Sequence, residues 1–264
     1  MDRFILNWKG NKYQETKKYL KTFIENNNFD YVAEPFGGIF GFSRYYYLLK
    51  SNTKTKFLIN DIDVNLINFY ISLQKDFNKT LDNLEEQFLK ITKDFKEDIE
   101  LTHFLRDNKN NKDYYLITKA ADSVSGCFSI TKFKTKLKNF RVKENEYKDM
   151  FKRCEFYNLP ADEFIKTVKN KNDDILFYFD PPYFNSNNTD YDNSFRDKNK
   201  YYDGTSIYIN ILEIMETTNL KCLFVLNKID VINYIFKKFI YLEYKGQYQN
   251  ISKKPKHHIV YKNF

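Results

Sequence analysis

Ile175-Leu-Phe-Tyr-Phe179 runs directly into Asp180-Pro181-Pro182-Tyr183. The apolar run lies between Asp173-Asp174 and the paired prolines, so it reads as one short buried strand of an α/β sheet. A carboxylate, two prolines and an aromatic ring at the carboxyl end of such a strand stand where open α/β sheets bind ligands. The prolines fix φ and remove two backbone donors, leaving a stiff turn rich in carbonyl acceptors. One carboxylate, neighbouring carbonyls and a stacking ring suit a planar ring that carries an exocyclic amino group. The same residues would also make an ordinary proline turn, so the rest of the chain has to decide.

Upstream, Tyr31-Val-Ala-Glu-Pro-Phe36 reads as a strand, followed by the glycine turn Gly37-Gly38-Ile39-Phe40-Gly41 and a helix from Arg44 to Lys50. Strand, glycine turn and helix form the first unit of a nucleotide-binding α/β fold, where small residues let the backbone approach a ligand. The next strand, Lys56 to Asn60, ends in Asp61, about twenty residues beyond the glycines, the spacing at which an acid reaches ribose hydroxyls. An amphipathic helix spans Asp63 to Leu73, so Asp61 could instead cap it. Before this unit, Phe4-Ile-Leu-Asn-Trp-Lys-Gly-Asn-Lys12 places the only tryptophan, Trp8, close to Gly10 and Lys12. That stretch suits a core plug or a loop that holds a polar ligand.

Downstream, a strand near Arg153–Tyr157, a helix from Ala161 to Val168, a helix near 206–217, the strand Cys222–Leu226, a helix near 229–238 and the strand His258–Tyr261 continue the βα rhythm. Residues 185–203 are polar and follow the proline turn, the usual place for a substrate-closing loop.

Between residues 76 and 150 the rhythm stops. Leu81, Leu84, Phe88, Ile91, Phe95 and Ile99 recur at spacings of three and four, which predicts one long amphipathic helix. Thr131-Lys-Phe-Lys-Thr-Lys-Leu-Lys138 alternates strictly. As a strand it would put Lys132, Lys134, Lys136 and Lys138 on one face, spanning ~20 Å, enough to follow several phosphates. Lysines also protect the edges of sheets, which is the plainer reading of such a strand.

Composition bounds the function. With 264 residues, the chain has room for one α/β domain and an insertion. No apolar run of about 18 residues offers a membrane span and Met1-Asp2-Arg3 opens no signal peptide, so a cytoplasmic protein without membrane association is expected. Cys127, Cys154 and Cys222 lie far apart and the histidines are His103, His257 and His258, so no spacing suggests a metal site or a disulfide framework. The net charge of +8 favours a polyanionic partner.

Four landmarks in one order resemble the Dam-type, D12 class, N6-adenine DNA methyltransferases. Asn7-Trp8-Lys9-Gly10-Asn11-Lys12 resembles that family's K-W-x-G-G-K element, and Glu34-Pro35-Phe36-Gly37-Gly38 its E-P-F-x-G-x-G loop, with Phe40 in place of the second glycine. Asn60-Asp61-Ile62 with Leu66-Ile67 is similar to N-D-I-N-x-x-L-I, and Asp180–Tyr183 matches D-P-P-Y. The resemblance implies a Rossmann-like, S-adenosylmethionine-dependent methyltransferase sheet built from residues 1–75 and 151–264. It also implies a largely helical target-recognition insertion over 76–150 that binds duplex DNA. Trp8, Lys12, Pro35, Phe36, Gly37, Gly38, Asp61, Ile62 and Asp180 would form the cofactor site. Asp180 and the carbonyl of Pro181 would accept from the adenine N6 amino group, with Pro182 completing the turn and Tyr183 stacking on a base flipped from the duplex. The lysines would touch DNA, a restriction–modification role would be natural, and a monomer without metal is expected. RNA adenine methylation, or nucleic-acid binding without catalysis, are the alternatives.

Overall fold

The computed structural model describes residues 4–8, 10–95, 97–108, 111–121, 128–171, 174–182, 204–246 and 256–264. Seven strands form one sheet in the order β3-β2-β1-β4-β5-β7-β6. They are β1 (Tyr31–Glu34), β2 (Lys56–Asn60), β3 (Cys154–Tyr157), β4 (Ile175–Phe179), β5 (Lys221–Asn227), β6 (Ile240–Gly246) and β7 (Lys256–Lys262). β1 to β5 pair in parallel, whereas β7 runs antiparallel to both β5 and β6. This is the mixed α/β sheet expected of the methyltransferase fold.

The strands are apolar throughout because both faces of the sheet are covered. Val32, Phe57, Ile59, Leu176, Tyr178, Leu223 and Val225 point into one core. Ala33, Leu58, Phe177, Phe179, Cys222, Phe224 and Leu226 alternate with them and fill a second core on the opposite face. On the first face lie α1 (Tyr13–Glu15), a π-helical turn (Thr16–Leu20), α2 (Lys21–Asn26), α3 (Gly41–Leu49) and α4 (Val64–Lys75). The second is covered by α10 (Ala161–Val168) and α11 (Gly204–Thr217), with α12 (Asp230–Ile235) following β5.

Residues 76–150 carry helices only among the described residues: α5 (Phe77–Thr92), α6 (Asp98–Asp107), α7 (Tyr115–Ala121), α8 (Ile130–Val142) and α9 (Glu144–Lys152). Their apolar side chains join the first core, where Phe140 and Tyr147 meet Phe4 with ring centroids 5.2 and 5.8 Å away.

Two expectations are corrected, and one strand is added. The lysine stretch is no strand; it lies in α8, and Ser129 caps it by accepting from Lys132 N. Buried Phe133, Leu137 and Phe140 recur at helical spacing, and the eight alternating residues are too short a window to separate the two periods. Lys132 and Lys136 therefore lie on one flank of the helix and Lys134 and Lys138 on the other, not on one face. The long helix over 81–99 is two helices, separated after Thr92, and the second starts where Glu97 N donates to Glu100 Oε2 at 3.3 Å. Finally, β6 was not anticipated. It is an edge strand paired on one side only, and Tyr241, Glu243 and Lys245 break its apolar pattern.

Candidate active site

β1 and β4 are neighbours, yet the chain leaves them toward opposite edges of the sheet, β1 toward β2 and β4 toward β5. Such a switch point opens a crevice beyond the carboxyl ends of the two strands. The glycine turn follows β1 and Asp180 follows β4, so the two motifs, about 140 residues apart in the chain, face one crevice.

Hydrogen bonds from β2 hold the glycine turn. Gly37 N donates to Asn60 O at 2.7 Å, and the Asn60 amide donates to Pro35 O at 2.9 Å and Leu159 O at 3.0 Å. Gly38 N donates to Asp61 Oδ2 at 2.8 Å, and the Tyr70 hydroxyl donates to Gly38 O at 2.6 Å. Gly38 has φ +49°, and a Cβ there would sit 2.7 Å from Trp8 Nε1, so the indole lies directly against the turn. Phe40, where the resemblance calls for glycine, also adopts the left-handed conformation, with φ 38° and ψ 54°. Its ring is fully buried against Tyr70 and Phe4, with centroids 4.9 and 5.5 Å away, and so points into the core, away from the crevice. Burying a phenyl ring contributes about 2 kcal/mol, which offsets the ~1–2 kcal/mol of a left-handed residue.

The N-terminal element is bracketed onto this turn. A Cβ on Gly41 would lie 2.5 Å from Asn11 Oδ1 and 2.7 Å from Tyr13 N, so the first turn of α3 touches residues 11–13 directly. Asn11 Oδ1 accepts from Tyr13 N at 3.1 Å and from Arg44 Nη2 at 3.3 Å. Arg44 is fully buried, donates from Nε to Ile39 O at 3.0 Å, and lies between the rings of Phe4 and Tyr13, 5.2 and 5.1 Å from their centroids. This arrangement carries Lys12, 3% exposed, to Asp180, where its Nζ is 3.4 Å from Oδ1. Lys12 also donates to Gly10 O at 3.2 Å.

Asp61 does not cap α4. Asp63 does, accepting from Asn65 N at 3.0 Å and Leu66 N at 3.3 Å. The Asp61 carboxylate instead accepts from Gly38 N and, at 2.9 Å, from Asp63 N, which aims it at the glycine turn. Burial pushes its pKa up to about 6, against the opposing pull of those N–H groups. Ile62 follows, half-buried, and Asn158 beyond β3 donates to Asp61 O at 2.8 Å. Pro181 is buried, and the Tyr208 hydroxyl of α11 fixes the Pro182 carbonyl at 2.8 Å. Tyr183 and the loop over 185–203 lie outside the described residues.

Comparison with known proteins places the chain in a family. The family model of the D12 class N6 adenine-specific DNA methyltransferases matches residues 8–250, from the Trp8 element to beyond β6. The chain belongs to that class. It is also 24% identical over 264 residues, covering 93% of this chain and 90% of the relative, to the Type II methyltransferase M.CviBI of Paramecium bursaria Chlorella virus NC1A. The protein is thus an adenine-specific DNA methyltransferase, an enzyme that requires a methyl donor and acts on DNA. Among the described residues no helix is long and apolar enough to cross a membrane.

Not every residue that shapes this crevice was legible. Glu34 belongs to the E-P-F element but reads from sequence only as part of a strand. It is 2% exposed and accepts from Ser43 N at 2.7 Å. Phe40, the residue at the N-cap of α3, has no side-chain acceptor, so Glu34 satisfies that helix end from the preceding strand. Burial, with Asp180 adding to it, pushes the Glu34 pKa up to about 8. The folded state therefore holds a proton that the unfolded chain releases above pH 4.5. Glu34 contributes its full stability below that pH and loses it as pH rises through about 8; Asp61 acts in the same direction between 3.8 and about 6. Glu34→Gln keeps the acceptor for Ser43 N without the titration. The unfolding free energy from urea titrations at pH 6 and 8.5 should fall with pH in the parent, by about 1–3 kcal/mol, and much less in the variant. An equally steep fall in both would show that Glu34 holds no such proton.

Proposed function

We propose that this enzyme transfers the methyl group of S-adenosylmethionine to N6 of adenine within a specific sequence of duplex DNA, acting as a monomer on a base turned out of the helix. The observation that carries the reading is the meeting of the glycine turn, Asp61 and the Lys12–Asp180 pair at the sheet's switch point. The residues present fit such a donor. A carboxylate offers about four lone-pair sites; the N–H groups of Gly38 and Asp63 take two at Asp61 and that of Ile62 also draws on it, so acceptor capacity remains for a ribose hydroxyl. Trp8, Pro35, Phe36, Gly37, Gly38 and Ile62 would form the remaining walls, with Lys12 and Asp180 at the reacting end.

The bound donor supplies an electrophilic sulfonium methyl, which needs no metal activation. The protein's task is then alignment. Asp180 and the Pro181 carbonyl accept the two N6 hydrogens, which turns the nitrogen lone pair toward the methyl and stabilises positive charge developing on nitrogen. Lys12, with Nζ 3.4 Å from Oδ1, holds the Asp180 carboxylate in place. Tyr183 supplies the stacking surface for the extruded base. Transfer from labelled donor to duplex DNA, single-stranded DNA and RNA, with the product nucleoside identified, tests the reading; N6-methyladenine formed mainly in RNA would overturn the choice of substrate.

Residues 76–150 supply the target-recognition segment, and α8 carries its basic flanks. Two lysine pairs replace the single face read from the sequence, so only one flank can follow a phosphate backbone. Lys132→Ala/Lys136→Ala and Lys134→Ala/Lys138→Ala should therefore differ. One pair should reduce the slope of log K against log salt by about two, and the other should leave it nearly unchanged. Filter-binding titrations at several salt concentrations read the difference; two unchanged slopes would leave α8 a soluble surface helix.

A further inference from the structure

We propose that Tyr115 and Lys119 of α7 are positioning residues for the methyl donor, so that a helix of the recognition segment also closes the cofactor site. The inference rests on the cofactor reading above. Tyr115 and Lys119 are four residues apart and share one face of α7. The Tyr115 hydroxyl donates to Asp63 Oδ2, while Oδ1 of the same carboxylate caps α4 and Asp63 N holds Asp61. The hydroxyl thus pins the residue that orients the ribose acid. One turn further along α7, Lys119 Nζ lies 4.7 Å from the centroid of Trp8 and 5.7 Å from that of Tyr115. Lys119 O accepts from Asn7 N at 2.8 Å. One helix therefore holds both irregular segments at the crevice: the indole over Gly38 and the acidic loop Asp61–Asp63.

Neither segment belongs to a helix or strand, so each would lose freedom when a ligand is bound against it. Holding them beforehand removes that ordering cost from binding. The α7 contacts also continue into the DNA side, because Lys136 Nζ of α8 donates to Ala120 O at 2.8 Å.

Calorimetric titration of the full-length enzyme with S-adenosylhomocysteine tests the proposal. Tyr115→Phe keeps the ring and loses the hydrogen bond, and should raise Kd by ~5–10-fold. Lys119→Met keeps the chain length and loses the cation over Trp8, and should raise Kd by ~2–5-fold; Lys119→Arg should restore parental binding. In steady-state assays KM for the donor should rise in the two weakened variants while kcat at saturating donor holds, a split that a merely structural strut would not produce. If Tyr115→Phe proves unstable, the Lys119→Met and Lys119→Arg pair decides alone. Parental Kd values in every variant, with only melting temperatures lowered, would overturn the proposal and leave the cofactor reading intact. A parental enzyme that binds no S-adenosylhomocysteine would overturn the cofactor reading itself.

Discussion

Asp180→Ala should reduce methyl transfer to adenine by at least two orders of magnitude in a single-turnover assay at saturating donor. Asp180 would be the charged acceptor next to the reacting amine, and its attraction grows as the nitrogen acquires positive charge. Losing one preorganised electrostatic contact of this type costs ~10²–10³ in rate, and misalignment of the amine adds to that. The variant also carries a structural cost, because Lys12 is 3% exposed and loses a carboxylate 3.4 Å away. Removing one partner of a buried pair is destabilising by up to ~3–5 kcal/mol, and the 18% exposure of Asp180 places this pair toward the lower end. Asp180→Asn separates the two effects. It keeps a neutral acceptor and nearly the same volume, so it should fold better than the alanine variant yet remain strongly impaired in chemistry. Either variant transferring methyl at near the parental rate would mean that the end of β4 is only a proline turn.

Gly38→Ala should cost the enzyme most of its affinity for the donor, with a loss of more than tenfold by calorimetry. The residue has φ +49°, and the added Cβ would stand 2.7 Å from Trp8 Nε1 and 3.0 Å from Trp8 Cδ1. The indole has to move, and with it the wall it forms over the turn. Gly10→Ala is the matched control. Its φ is +82°, so it bears a comparable left-handed cost of ~1–2 kcal/mol, but its nearest neighbour is the flexible end of Lys12 at 4.0 Å. Gly10→Ala should therefore lower thermal stability and retain more affinity than Gly38→Ala. Equal losses in the two variants would show that backbone strain, and not the displaced tryptophan, governs the site.

The amino-acid sequence by itself determined the strands at the centre of the sheet and the motifs that end them. β4 and β2 read as strands because both faces of the sheet are buried, which demands unbroken apolar runs, and Asp180-Pro181-Pro182 marks where one run stops. The glycine turn and the place of Asp61 at the end of β2 were legible from spacing, which left open whether Asp61 faces the turn or caps α4. Tertiary structure decided the rest. The lysine stretch became α8 because Phe133, Leu137 and Phe140 meet a core contributed by Phe88, Phe77 and Phe4, partners that eight residues of alternation cannot show. Asp61 was freed from capping only because Asp63 took that role. Phe40 could replace a glycine because Tyr70 and Phe4 receive its ring. Glu34 became the cap of α3 by accepting from Ser43 N, nine residues on, and Tyr115 reached Asp63 across fifty-two residues. Local periodicity depends on the burial of neighbouring side chains, whereas these contacts arise only when distant segments share one core.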